Sequence, residues 1–199
     1  MLTHAFSGLL AGWSIIIAVG PQNAFILRQG LARKHVGLVV AICTLADIGL
    51  IAAGNLGVGA LVTAAPWALE VLRWAGALYL LYFAFQSFRS AATASGLRAG
   101  GGSDSVRTVV LTTLTITFLN PAVYLDTVAM LGTLANQSAG HAWAFSLGAM
   151  LGSVTWFAAL GYGARALAPL VSSPRAWRWI DIGIGIVVTL LALRLILGA

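Results

Sequence analysis

The chain has 199 residues, of which 60% are hydrophobic and only 8% are charged. A soluble domain carries roughly 25% charged residues, so this composition excludes a water-soluble globule and indicates an integral membrane protein. The formal net charge of +6 is spread over short basic clusters between apolar runs. That distribution is typical of membrane topology signals and argues against nucleic acid as a partner.

Six apolar stretches are long enough to cross a bilayer, which takes about 20 helical residues. In chain order they cover residues 3–27, 36–62, 67–88, 108–134, 142–167 and 176–197. Charged residues near the ends of the third and sixth stretches weaken these two as spans, and a five-span arrangement is the alternative. The sequence therefore predicts an all-α integral membrane protein, with residues 1–199 forming a single transmembrane domain.

The loops between these stretches differ in charge. Lysine and arginine follow the first span, flank a Gly/Ser-rich segment at residues 94–106 and separate the fifth and sixth spans, whereas residues 63–66 and 136–140 contain none. The positive-inside rule places the basic loops in the cytoplasm and both termini outside. Residues 94–106 are then a cytoplasmic linker between a first half, residues 1–93, and a second half, residues 107–199.

The two halves share short motifs at a nearly constant spacing. Gly20-Pro21 in the first span matches Asn120-Pro121 in the fourth, and glycine pairs and arginine-tryptophan pairs match farther along each half. Since each half has three spans, its copy must insert upside down, which predicts two inverted three-helix repeats. A proline inside a span removes a backbone hydrogen bond and bends the helix. The first and fourth spans are therefore predicted to break, at Gly20, Pro21 and Pro121.

Two acidic residues lie deep within predicted spans. Asp47 is in the middle of the second span, and Asp126 follows Pro121 in the fourth. A carboxylate at such depth costs on the order of 2.5–3.5 kcal/mol, so it is normally retained for a ligand or a partner. No lysine or arginine is expected deep in any span to neutralise either acid. A cationic ligand, a proton or both would suit these two acids; a protonated acid bonded to a neighbouring helix is the structural alternative.

Polar amides accompany the predicted breaks. Gln22 and Asn23 follow Pro21, and Asn120 precedes Pro121. Interrupted helices near the bilayer midplane form the substrate sites of many secondary transporters, so we expect these three side chains to join the two acids in one substrate-binding or proton-coupling site.

Two further acids have an arginine three residues away on the same predicted helix. Glu70 precedes Arg73 near the outer surface, and Asp181 follows Arg178 near the cytoplasmic surface. Residues at this spacing are neighbours on a helix, so both are expected to form interfacial ion pairs.

Several motifs together resemble one family. Residues 20–25, Gly-Pro-Gln-Asn-Ala-Phe, followed by Leu-Arg-Gln-Gly at residues 27–30, look like the signature of the LysE-type lysine/arginine exporters of bacteria, and residues 43–47 and 118–126 fit the same family. The resemblance covers essentially the whole chain. One departure is Ala46, where the family is expected to have a serine beside Asp47.

This resemblance implies a multi-pass secondary transporter of the bacterial plasma membrane that exports L-lysine, L-arginine or both. It implies that the proton gradient or the membrane potential drives export. The related branch that exports neutral amino acids is not expected to carry the aspartates at positions 47 and 126, so their presence here favours a basic substrate.

Other functions remain as alternatives. Export of another small cation or of a metal ion is the main one, although the spans offer too few histidine, cysteine and carboxylate side chains for an expected metal site. No catalytic residue and no cofactor is expected, and the Gly-x-Gly-Asp context of an intramembrane aspartyl protease is missing. Whether the protein is a monomer or a homodimer stays open.

Overall fold

A computed structural model describes residues 1–17, 20–59, 64–92, 105–138, 140–171 and 173–197. Throughout these ranges the regular structure is helical, with no strand. Most of the predicted linker, residues 94–106, lies outside the described residues. The helices are α1 Leu2–Ile16, α2 Pro21–Leu31, α3 Val36–Asn55, α4 Pro66–Ala92, α5 Val106–Phe118, α6 Pro121–Asn136, α7 Ala142–Leu167 and α8 Pro174–Leu197.

Four of these helices, α3, α4, α7 and α8, are long and apolar enough to cross a membrane unaided. The other four form two bent pairs, α1 with α2 at an angle of 84° and α5 with α6 at 60°. Counting each bent pair as one span gives up to six spans, so the all-α membrane architecture is confirmed with four to six candidate spans. α3, which corresponds to the predicted second span, ends at Asn55 rather than at residue 62. α4, which corresponds to the predicted third span, extends past residue 88 to Ala92.

Both bends coincide with a proline at the start of a helix. Pro21 and Pro121 each occupy the first turn of the helix that follows the bend. Proline is suited to this position because the backbone N–H that it lacks would have no intrahelical partner there. A new helix therefore starts inside each of these two apolar stretches.

Glycine lets α1 and α7 pack backbone to backbone. A methyl group added to Gly8 would clash with the carbonyl of Phe145, and one added to Gly148 would clash with the carbonyl of Ala5. Small residues permit such close approach between membrane helices, where dispersion contacts replace the hydrophobic effect as the driving force.

The helices divide into a core and a peripheral pair. In the core, α3 packs against α7; α1 and α2 pack mainly on α7, whereas α5 and α6 pack mainly on α3. The remaining helices, α4 and α8, pack extensively against each other and meet the core through apolar side chains, for example Phe83 against Phe25. We call the boundary between the α4–α8 pair and the six core helices the seam, because the polar residues of interest lie along it.

Candidate functional site

A cavity of about 610 Å³ occupies one end of the seam. Its walls come from the bends in both broken helices, the middle of α3, the first turns of α4 and the last turns of α8. All eight residues singled out in the sequence line it: Gly20, Pro21, Gln22, Asn23, Asp47, Asn120, Pro121 and Asp126. Residues that are up to 106 positions apart in the chain thus meet at one place.

The N-termini of α2 and α6 both face this cavity. Gly20 is the N-cap of α2, and Asn120 is the N-cap of α6, where its side-chain oxygen accepts a hydrogen bond from the Ala122 backbone N–H at 3.1 Å. The first N–H groups of a helix lack intrahelical partners and carry the positive end of the helix dipole. Two such ends give the cavity hydrogen-bond donors without adding a basic side chain.

Asn23 holds the first bend in place. Its amide nitrogen donates to the Ile16 carbonyl at 2.7 Å, and its amide oxygen accepts from the Trp156 indole N–H at 3.3 Å. The side chain therefore satisfies the end of α1 and ties the bend to α7. Since both ends of the amide are engaged, the role that these contacts support is shaping the cavity rather than donating to a ligand.

Gln22 has a different environment. Its amide nitrogen is buried and has no hydrogen-bond partner within the described part of the chain. The side chain lies beside the thiol of Cys43, which is only a weak acceptor. A buried amide donor without a strong acceptor is costly, and this one belongs to a residue of the cavity wall.

Asp47 is 4% exposed and lies at the floor of the cavity. The Ser153 hydroxyl donates to its Oδ2 atom at 2.8 Å. Asp47 lies eleven residues after the start of α3, and Ser153 lies eleven residues after the start of α7. The hydroxyl therefore comes from the equivalent depth of the opposite helix, while position 46 holds alanine. Among the described residues, none forms an ion pair with Asp47.

Asp126 is half-buried and lies in a π-helical segment of α6, Tyr124–Met130. Such wide turns are rare and occur often at functional sites. Arg194, near the end of α8, lines the same cavity and lies within electrostatic range of Asp126. Arg194 is not deep in a span, since it lies three residues before the end of α8, but the packing of α8 brings it to the same cavity as Asp126.

The mouth of the cavity carries a second arginine. Arg73 Nη2 lies 3.0 Å from Glu70 Oε1, which confirms the ion pair expected from their spacing on α4. Both side chains line the cavity, and the Arg73 guanidinium also lies over the ring of Trp74. Sequence reasoning placed this pair at a surface and missed that the surface is the entrance to the site.

The other end of the seam is closed around Asp181. This residue is 1% exposed, accepts a hydrogen bond from the Ser90 hydroxyl at 2.6 Å and has Arg28 Nε 3.4 Å from its Oδ1 atom. The expected pair with Arg178 is wrong. Spacing along one helix could not reveal that the end of α2 lies against the start of α8, which gives the carboxylate a partner from another helix.

The described residues contain no group of three or more histidine, cysteine, aspartate or glutamate side chains arranged to hold a metal ion. The charged and polar groups in the cavity are instead arranged singly or in pairs of opposite sign. Such an arrangement suits a small organic ion with several charges of its own.

Comparisons with known proteins agree with these features. The family model for the LysE type translocator matches residues 13–199. A lysine exporter, LysE, from Corynebacterium diphtheriae is 39% identical over 98% of this chain and all of its own length. The arginine exporter protein ArgO from Salmonella schwarzengrund is 36% identical over 98% of this chain and 94% of its own. A putative amino-acid transporter from Mycobacterium bovis is 45% identical over 86% of this chain and 90% of its own. No solved structure matches the chain.

Proposed function

Because the chain belongs to the LysE type translocator family, we propose that it exports basic amino acids, L-lysine, L-arginine or both, across the bacterial plasma membrane. It is a multi-pass membrane transporter rather than an enzyme. The observation that carries the choice of substrate is the pair of aspartates, Asp47 and Asp126, in one cavity between two broken helices.

The aspartates suit the cationic groups of a basic amino acid. Asp47 has a hydroxyl partner but no ion-pair partner among the described residues, so its charge is available to a ligand. Gln22 and the first turns of α2 and α6 supply donors for the polar groups of the same molecule. A neutral amino acid would leave Asp47 uncompensated in a buried place, which is costly.

Inverted repeats account for the architecture. Each bent pair packs mainly against the middle helix of the opposite half, the middle helices α3 and α7 pack against each other, and so do the third helices α4 and α8. This pattern is what a two-fold relation between residues 1–93 and 107–199 would produce. Such transporters bind their substrate at the interface of the repeats and expose it to each side in turn.

The orientation follows from the basic loops. With those loops in the cytoplasm, the cavity opens outward and the Asp181 end of the seam closes the cytoplasmic side. The transporter is then in the state that releases substrate.

Proton exchange is the coupling that we propose. Moving one positive charge outward against an inside-negative potential of 100 mV takes about 2.3 kcal/mol. A proton that enters as the amino acid leaves offsets this work, and a carboxylate such as Asp47 or Asp126 can hold either one. The proton and the amino acid then compete for the same carboxylates.

Efflux from cells that lack their own exporters tests the proposal. Cells that express the chain and are loaded with radiolabelled lysine or arginine should release one or both faster than cells with an empty vector, and a protonophore should slow the release. Equal release from both kinds of cell would contradict export of basic amino acids. If a protonophore left the rate of release unchanged, proton coupling would be contradicted but export of basic amino acids would not.

Ligand stabilisation of the purified protein distinguishes the alternative. Anything that binds the folded state raises its apparent stability. Lysine or arginine should raise the melting temperature in detergent, whereas zinc and cadmium should not. The opposite result would favour export of a metal ion.

A further inference from the structure

We infer that Arg194 recognises the α-carboxylate of the exported amino acid, so that Asp126 and Arg194 together bind its zwitterionic end and Asp47 binds its side-chain cation. This inference rests on the proposed function and deepens it. It assigns a role to Arg194, a basic residue whose presence in the cavity is not explained by two aspartates that bind cations.

The first observation is the balance of charge in the cavity. The charged residues among its described lining are three carboxylates and two guanidiniums, Asp47, Glu70, Asp126, Arg73 and Arg194, with a formal charge of −1 when all are ionised. Lysine and arginine carry a net charge of +1 at neutral pH. A single basic amino acid therefore neutralises the cavity, whereas a decarboxylated diamine, with a charge of +2, exceeds it.

The second observation is how these charges are grouped. Asp126 on α6 and Arg194 in the last turn of α8 line the same cavity and lie within electrostatic range of each other. The α-ammonium and α-carboxylate of an amino acid are attached to the same carbon atom, so their protein partners must be an acid and a base that are close together. Asp126 and Arg194 meet this requirement.

Asp47 meets a different requirement. It lies deep in α3, its hydrogen-bond partner is the Ser153 hydroxyl, and no described residue forms an ion pair with it. One uncompensated negative charge, apart from the acid–base pair, fits the distal ammonium or guanidinium of the substrate. Apart from the Glu70–Arg73 pair, the charged groups of the cavity are thus two negative and one positive, the complement of a basic amino acid.

The other acid–base pair is a weaker candidate for the same role. Glu70 and Arg73 lie three residues apart on one helix and are joined at 3.0 Å, so their charges already offset each other within α4.

Binding of matched ligands to purified variants tests the assignment. Lysine is compared with cadaverine, which is lysine without its carboxylate, by titration calorimetry on the wild type and on Arg194→Gln, Arg194→Lys, Arg73→Gln and Arg89→Gln. Arg89 is the matched control, because it is an exposed arginine near the end of α4 that lies outside the cavity.

The wild type should prefer lysine, and Arg194→Gln should weaken lysine binding about 10- to 100-fold, the range for a lost charge-assisted hydrogen bond, while cadaverine binding stays the same or improves. Arg194→Lys should restore part of the preference because it keeps the charge. Arg89→Gln should bind both ligands as the wild type does.

Three results would overturn the inference: an unchanged preference in Arg194→Gln, an equal loss for both ligands, or loss of the preference in Arg73→Gln instead. Should Arg194→Gln fail to fold, Arg194→Lys still decides, because it must bind lysine more weakly than the wild type while its cadaverine affinity is kept. A wild type that binds neither lysine nor arginine would overturn the proposed function itself, which is a different outcome from a wild type that binds lysine without the help of Arg194.

Discussion

The two ends of the seam bury acidic residues in opposite ways. At the open end, Asp47 is 4% exposed, and its one partner among the described residues is a serine hydroxyl. At the closed end, Asp181 is 1% exposed and has both a serine hydroxyl and an arginine. Depth of burial is almost the same, so it does not distinguish the two acids. What distinguishes them is Arg28, which neutralises the charge of Asp181 within the protein. Asp181 therefore has no charge to offer a substrate.

The two ends of the seam also have different mechanical roles. The Arg28–Asp181 pair joins α2 of the core to α8 of the peripheral pair, and Ser90 adds α4. At the open end, the same two bodies are separated by the cavity. One end of the seam holds the bodies together, and the other leaves space between them.

The largest effect should come from removing either acid of the open end. Asp47→Asn and Asp126→Asn keep the shape of the side chain but can neither carry a charge nor exchange a proton, so export should fall at least 100-fold. Loss of an intramembrane charge makes insertion easier by a few kcal/mol, and the amount of protein in the membrane should therefore hold. The measurement is the rate of lysine or arginine efflux per amount of protein.

Asp181→Asn is the control at the closed end. Its carboxylate is bound by Ser90 and Arg28, neither of which lines the cavity, so its effect on export should be smaller than that of Asp47→Asn at matched abundance. An equal loss of export in both variants, or normal export by Asp47→Asn, would contradict these roles, in which Asp47 offers its charge to the substrate and Asp181 stabilises the structure.

A smaller effect, on stability, is expected at the closed end. Arg28→Gln leaves the Asp181 carboxylate buried without its cation, and an unpaired buried charge is strongly destabilising. Because the Arg28 side chain is 22% exposed, we expect a loss of about 2 kcal/mol, a decrease of roughly 4–8 °C in the melting temperature for a chain of this size.

The double variant separates this explanation from general damage. Adding Asp181→Asn to Arg28→Gln removes the orphaned charge, so the double variant should be more stable than Arg28→Gln alone. Additive losses would show that the two residues do not act as a pair.

The smallest effect should come from the hydroxyl beside Asp47. Ser153→Ala removes one hydrogen bond to a charged group, worth about 1.5 kcal/mol, so export should fall roughly tenfold while the fold is retained. Ser153→Thr keeps the hydroxyl and should preserve more of the activity. If Ser153→Ala exported normally, the position of the Asp47 carboxylate would not depend on α7.

Sequence predicted one end of the seam far better than the other. The bends at Pro21 and Pro121 and the depth of Asp47 and Asp126 can be found from the chain because a proline, an amide or an acid within an apolar run is a local signal. The partners of the acids cannot be found from the chain, because each partner comes from a different helix than its acid. These partners are Ser153 for Asp47, Arg194 for Asp126 and Arg28 for Asp181. Their positions depend on how helices rotate and slide against one another, and an arginine near a span end gives no sign of whether it faces lipid, a cavity or a buried acid.

The size of the cavity has a further consequence for the cycle. At about 30 Å³ per molecule of liquid water, 610 Å³ corresponds to roughly 20 waters. In the proposed transport cycle, an amino acid that enters displaces some of them, and a movement that closes the cavity expels more. Water is then a stoichiometric participant in each turnover, and osmolarity joins the concentrations of substrate and proton as a quantity that sets how far the transporter is open. A solute too large to enter the cavity draws water out of it and favours the closed form without touching the protein.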